Sequence, residues 1–184
     1  MKNFLVCLFL VAATTLSACA QVPYTGRKQA VMLTPGQEAQ LGTEAFAEVL
    51  ATEHPIHKSA QKSQIVVTGN RIASRTPAAW RNLDWEFALL KSDSVNAFAL
   101  PGGKVAIYEG ILPIMANEAG LASVMGHEVG HVVARHGAER IGGTMLLQRG
   151  LAAADIGLSN TAVRDELMGM LGLGATVGVV LPFS

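Results

Sequence analysis

Cysteine is almost absent from this chain: the 184 residues include two, Cys7 and Cys19, both near the start. A disulfide-stapled fold is excluded, because such scaffolds need cysteine pairs spread through the domain. Charge is also scarce, at 15% of residues, and evenly divided between 14 basic and 14 acidic side chains. With no excess of either sign, there is no electrostatic footprint for nucleic acid or another polyanion or polycation. Internal repeats and low-complexity tracts are missing too. The one Gly-rich turn, Pro101-Gly102-Gly103, lacks the spacing of a phosphate-binding loop. A chain of this length buries one core and is too short for two domains.

Two uncharged stretches bear on membrane attachment. The first, residues 4–13, follows Lys2 and leads into small residues before Cys19, the pattern of a secretory signal peptide over 1–18. Leu16, Ser17, Ala18 and Cys19 match the lipobox of bacterial lipoproteins, which makes Cys19 the expected lipidation site, and Ala20 resembles the residue that follows it in outer-membrane lipoproteins. Several acyl chains, at about 0.8 kcal/mol per buried methylene, would tether the domain stably to a bilayer. The alternatives are an uncleaved membrane anchor or an ordinary secreted protein. The second stretch, 167–184, is near the roughly 20 residues of a membrane span, and Gly174 and Gly178 form a GxxxG. Four glycines and Pro182 in it favour a buried core segment instead.

Residues 19–34, with Pro23 and Gly26, read as a tether and extended arm, leaving 35–184 as the folded domain. Thr34, Pro35 and Gln37 form a capping box that opens a helix over about 35–53. Its apolar face carries Leu41, Ala45, Val49 and Leu50, while Glu38, Glu44 and Glu48 fall elsewhere. A second helix over about 58–74 turns Ile65, Val66, Ile72 and Ala73 inward and stops at Thr76-Pro77. At Asp84 the period changes to that of strands. Trp85, Phe87 and Leu89 alternate with Glu86, Ala88 and Leu90, 95–100 is a second extended run, and the Pro-Gly-Gly turn leads to a third at 104–108. A small three-stranded antiparallel sheet is expected. From Asn117 the chain is expected to be helical through the motif at 127–131 and on past Arg140 into a further helix ending near 154, followed by a break at 156–160 and another helix capped by Thr161. The fold class is therefore α+β and mostly helical.

Within the long helix, residues 127–131 read HEVGH. Four helical residues span about 400° of rotation and about 6 Å of rise, so His127 and His131 project from one face a turn apart. Two imidazoles so placed can share one Zn2+, which takes nitrogen ligands at about 2.0–2.1 Å and, in catalytic sites, keeps a position for water. Glu128, about 100° further round, stands beside such a metal as a candidate general base. Apolar neighbours (Leu121, Val124, Met125, Val129, Val132, Val133) bury the helix, where unpaired histidines would be costly. His136 does not complete a metzincin pattern, which needs glycine and histidine where Ala134 and Gly137 stand. In a continuous helix it would point about 180° from His127, which makes it a structural or helix-terminal histidine. His54 and His57 flank Pro55 in a polar link and read as solvated.

Four segments together, VPYTGRKQ at 22–29, NAFALPGG at 96–103, YEGIL at 108–112 and NEAGLASVMGHEVGHVVARHGAER at 117–140, resemble the zinc metallopeptidase family that includes HtpX-like, LoiP-like and BepA-like proteins. The resemblance implies that His127 and His131 bind zinc, that Glu128 is the general base, and that the strand of Asn96, Ala97, Phe98 and Ala99 binds an extended substrate by β-augmentation. In that gluzincin family the third ligand is a glutamate in an ExxAD segment on a later helix. After His131 the acidic residues are Glu139, Asp155, Asp165 and Glu166, and none begins that pattern. VVLPFS resembles the phrase that precedes the ligand helix, so the expectation is a domain that stops short of its third ligand. The implied function is a zinc endopeptidase, lipid-anchored to the periplasmic side of the outer membrane, acting on misfolded or misassembled envelope proteins. The alternatives are a catalytically inactive truncated lipoprotein that binds unfolded clients or partner proteins, and an integral membrane protease if 167–184 spans.

Overall fold

Thr34 opens helix α1 (Pro35–Thr52) with both halves of its capping box in place: the Gln37 N–H donates to Thr34 Oγ1 (3.3 Å) and the Thr34 N–H donates to Gln37 Oε1 (2.9 Å). The structure, a computed structural model, describes residues 19–153. The signal peptide at 1–18, the break at 156–160, the helix capped by Thr161, the uncharged 167–184 and Asp155, Asp165 and Glu166 lie outside the described residues. Among the described residues no helix is long and apolar enough to cross a membrane.

Helix α2 (Ala60–Ala73) begins at Ser59, whose hydroxyl accepts from the Lys62 N–H, and the short α3 (Ala78–Arg81) follows Pro77. Within the segment read as tether and arm, β1 (Cys19–Gln21) and β2 (Lys28–Ala30) pair as an antiparallel ribbon. The Arg27 guanidinium between them makes two bonds to the Glu139 carboxylate, at 2.7 and 2.6 Å.

The three remaining strands, β3 (Glu86–Leu90), β4 (Ala97–Leu100) and β5 (Lys104–Tyr108), lie in the order β3-β5-β4. The β4–β5 hairpin is antiparallel, as expected, but β3 and β5 are parallel, with Phe87 opposite Val105 and Leu89 opposite Ile107. The expectation of a purely antiparallel sheet is therefore corrected to a mixed one. The turn at Pro101-Gly102-Gly103 pairs β4 with β5, so β3 joins the free side of β5, where a chain that has reversed twice since β3 runs in the same direction.

Both faces of this sheet are covered, which explains why its strands are apolar at nearly every position. Phe87, Leu89, Ala97, Val105 and Ile107 share a core with Ile65 and Ala73 of α2 and with the helix that carries HEVGH. Ala88, Leu90, Phe98, Leu100 and Ala106 pack on Ala45, Phe46 and Val49 of α1. Each such large side chain contributes about 1.5–3 kcal/mol on burial. Buried Lys104 is matched by the Asp84 carbonyl and carboxylate at 2.9 and 2.8 Å.

After a 3₁₀ turn (Glu109–Ile111) and α4 (Leu112–Met115), Asn117 caps α5 (Glu118–Val133) by accepting from the Gly120 N–H at 3.0 Å. The helix does not continue past Arg140 as expected. It ends at Val133, Arg135 takes left-handed backbone at φ 57°, and α6 (His136–Ala153) starts in a new direction. Left-handed backbone is unfavourable by roughly 1–2 kcal/mol outside glycine, and here a long-range contact holds it. Arg135 is ion-paired with Glu38 in the first turn of α1, and its guanidinium also donates to the Leu33 carbonyl at 3.2 Å. Glu38, which falls outside the apolar face of α1, is buried by this pair.

Candidate metal centre

Helix α5 lays Leu121, Met125, Val129 and Val133 into the core, and this seating fixes the rotation of the HEVGH residues. His127 is exposed and His131 half-buried one turn on, with rings edge to face. Their Nε2 atoms stand 2.9 Å apart. Two nitrogens bound tetrahedrally to zinc at about 2.05 Å are separated by about 3.3 Å, so a small ring rotation makes the pair a fit. Among the described residues no third histidine, cysteine or carboxylate joins them in a metal-sized group.

The electrostatics suit ligation as well. Burial, followed by the nearby His127, His136 and Arg140, pushes His131 down to about 4, so it is neutral at physiological pH, the form in which imidazole binds metal. Glu128 is buried, and this raises its carboxyl to about 7 against the opposing pull of Arg140. No hydrogen bond or ion pair among the described residues engages it. A carboxylate poised near neutrality can both accept and return a proton.

The break after Val133 changes the position of His136. Instead of pointing away from His127, it brings Nδ1 to 2.6 Å from Nδ1 of His131, with the rings 4.8 Å apart. Sequence reasoning missed this contact because neither glycine nor proline marks 134–136, and the residue that holds the turn, Glu38, is 97 positions distant. His54 and His57 are exposed, as expected. Glu139 is engaged by Arg27.

The four residues expected to meet substrate lie at or beside β4, an edge strand. Ala97 and Phe98 are buried on opposite faces, Asn96 and Ala99 partly so, and any contact from the first two to a substrate must come through backbone. The Tyr108 N–H donates to the Asn96 carbonyl, so the backbone groups of Asn96, Phe98 and Leu100 face β5. In the alternation of an antiparallel pair, those of Ala97 and Ala99 then point outward from the open edge. Between this strand and His131 lies a cavity of about 230 Å³, bordered by Trp80, Leu83, Ala99 and Pro101. Cys19, the expected lipidation site, begins β1.

A helix bearing paired histidines and a buried glutamate, laid on a small mixed sheet, places the chain among the metallopeptidases. More narrowly, residues 59–184 match Peptidase family M48, and the chain belongs to that family. It is 34% identical over 167 residues to the mitochondrial metalloendopeptidase OMA1 of Schizosaccharomyces pombe, covering 89% of this chain and 47% of that protein. It is 30% identical over 135 residues to the beta-barrel assembly-enhancing protease of Escherichia coli, covering 69% of this chain and 27% of that protein. The chain thus spans about half or less of the length of these relatives.

Proposed function

We propose that the chain carries the metal-binding and proton-transferring part of a zinc metalloendopeptidase acting on unfolded or misassembled proteins of the bacterial envelope. The observation that carries this reading is the convergence of His127 and His131 Nε2 at 2.9 Å, one residue from a buried carboxylate. His127 and His131 would hold the ion, and a third donor would come from outside the described residues. When bound, zinc polarises a carbonyl and lowers the pKa of its water towards about 7. Glu128 then accepts a proton from the attacking water and delivers it to the leaving amide nitrogen.

The open edge of β4 suits an extended chain, whose backbone would pair with the groups of Ala97 and Ala99 whatever its side chains. This tolerance fits unfolded clients. The envelope assignment and the tether at Cys19 rest on the lipobox and on the name of the Escherichia coli relative. The family also has mitochondrial members.

The test compares zinc-loaded protein with its Glu128→Gln variant on a fluorescently labelled unfolded protein. The variant should bind zinc as the parent does and cleave about 10²–10⁴-fold more slowly. Equal cleavage by the two would refute the role of Glu128. A parent that holds zinc through His127 and His131 but neither cleaves nor retains an unfolded chain would refute the function.

A further inference from the structure

We propose that His136 is a positioning residue for the metal centre: it accepts a hydrogen bond from His131 Nδ1–H and so holds His131 in the tautomer whose Nε2 is free to bind metal. The proposal rests on the metal site assigned above. A neutral imidazole carries one N–H and one lone pair. A metal at His131 Nε2 therefore requires the proton on Nδ1, and that half-buried N–H needs an acceptor. At 2.6 Å, His136 Nδ1 is the atom in contact with it, and no water fits between. His136 must then carry its own proton on Nε2.

The contact is held from two directions. Arg135, immediately before His136, is paired with Glu38 and bonded to the Leu33 carbonyl, and this fixes the left-handed step that turns α6. Glu139, one turn after Arg135, is held by the two bonds from Arg27. The first turn of α6 is thus clamped to both α1 and the β1–β2 connection, and His136 is delivered to His131 by contacts about 100 residues distant in sequence. A direct ligand role is disfavoured by the same geometry, because His136 meets the Nδ1 end of the His131 ring, away from the Nε2 that faces His127. Hydrogen bonds of this kind to the second nitrogen of a ligating histidine are typically worth about 10–100-fold in metal affinity.

The experiment measures zinc affinity, by competition with a chromophoric chelator, for the full chain and two variants. His136→Phe keeps a ring but removes the acceptor, and His136→Asn places Oδ1 close to where Nδ1 stood. The first should bind zinc about 10–100-fold more weakly, and the second should recover most of that loss. Long-range ¹⁵N–¹H correlation spectra of the metal-free proteins supply a readout independent of both zinc and activity. They should show His131 protonated on Nδ1 in the parent and in His136→Asn, and redistributed towards Nε2 in His136→Phe. The proposal is overturned if the parent carries the His131 proton on Nε2, if His136→Phe binds zinc like the parent, or if asparagine rescues nothing. Should the parent bind no zinc, or bind it unchanged after His131→Ala, the metal site itself is wrong, and the spectra separate that failure from this one. The parent spectrum decides the tautomer even if His136→Phe fails to fold.

Discussion

Replacing Gly42 with alanine should destabilise the protein, although the same change elsewhere on a helix stabilises it. In an exposed helix interior, alanine is favoured over glycine by about 1 kcal/mol. At position 42 the new methyl carbon would lie 1.8 Å from the Pro101 carbonyl oxygen, where ordinary contact begins at 3.4 Å. Relieving a shortfall of that size means moving either α1 or the β4–β5 turn, since both partners are backbone and neither can swing aside. Overpacking typically costs about 1–3 kcal/mol. Taking the upper end and subtracting the propensity gain leaves a net loss of about 2 kcal/mol. For a chain of this size that is a fall in Tm of roughly 4–8 °C. Gly143 of α6 is the control, because a methyl there meets nothing within 4 Å, and Gly143→Ala should be neutral to stabilising by up to about 1 kcal/mol. Far-UV circular dichroism during thermal and urea unfolding measures both. If Gly42→Ala proves as stable as Gly143→Ala, α1 does not seat against Pro101 and the packing of the sheet's α1 face is wrong.

Glu38→Gln should cost about 2 kcal/mol, below the roughly 3–5 of a fully buried ion pair because some solvent reaches both side chains, and urea unfolding would detect it. A change under about 0.5 kcal/mol would mean that Glu38 does not hold the bend at Arg135. The hydrogen bond and charge of Lys104 hold the Asp84 carboxyl below its usual range. A depressed carboxyl stabilises the fold above its unfolded pKa, about 3.9, and that contribution disappears as pH falls through the lower folded value. Asp84→Asn should therefore lower the urea midpoint at pH 7 and match the parent once the pH is well below 4. A difference that persists in acid would refute the pairing. Chelation of zinc should leave the described fold's circular dichroism largely unchanged, because His127 and His131 sit on a helix already packed by Met125, Val129 and Val133. A collapse of helicity on metal removal would contradict this.

The elements legible in the sequence were those whose determinants lie within a few residues. Thr34 and Gln37 show their capping box in the spacing, Pro101-Gly102-Gly103 marks a hairpin, and the third strand lies at 104–108 as expected because a turn and a change of period bound it. Strand order was not legible. Phe87 and Leu89 look the same whether β3 pairs with β4 or β5, and the choice is made by tertiary packing with no local signal.

The sequence by itself determined that His127, Glu128 and His131 share a helix at a spacing suited to one metal ion, since the α-helical repeat alone sets that geometry. Only the tertiary structure decided what surrounds them. The turn at Arg135 has no local signal and depends on a carboxylate from α1, so the position of His136 could not be read from its distance along the chain. Helical periodicity carries information over a turn or two. Beyond that, direction is set by whichever distant group satisfies the buried charge.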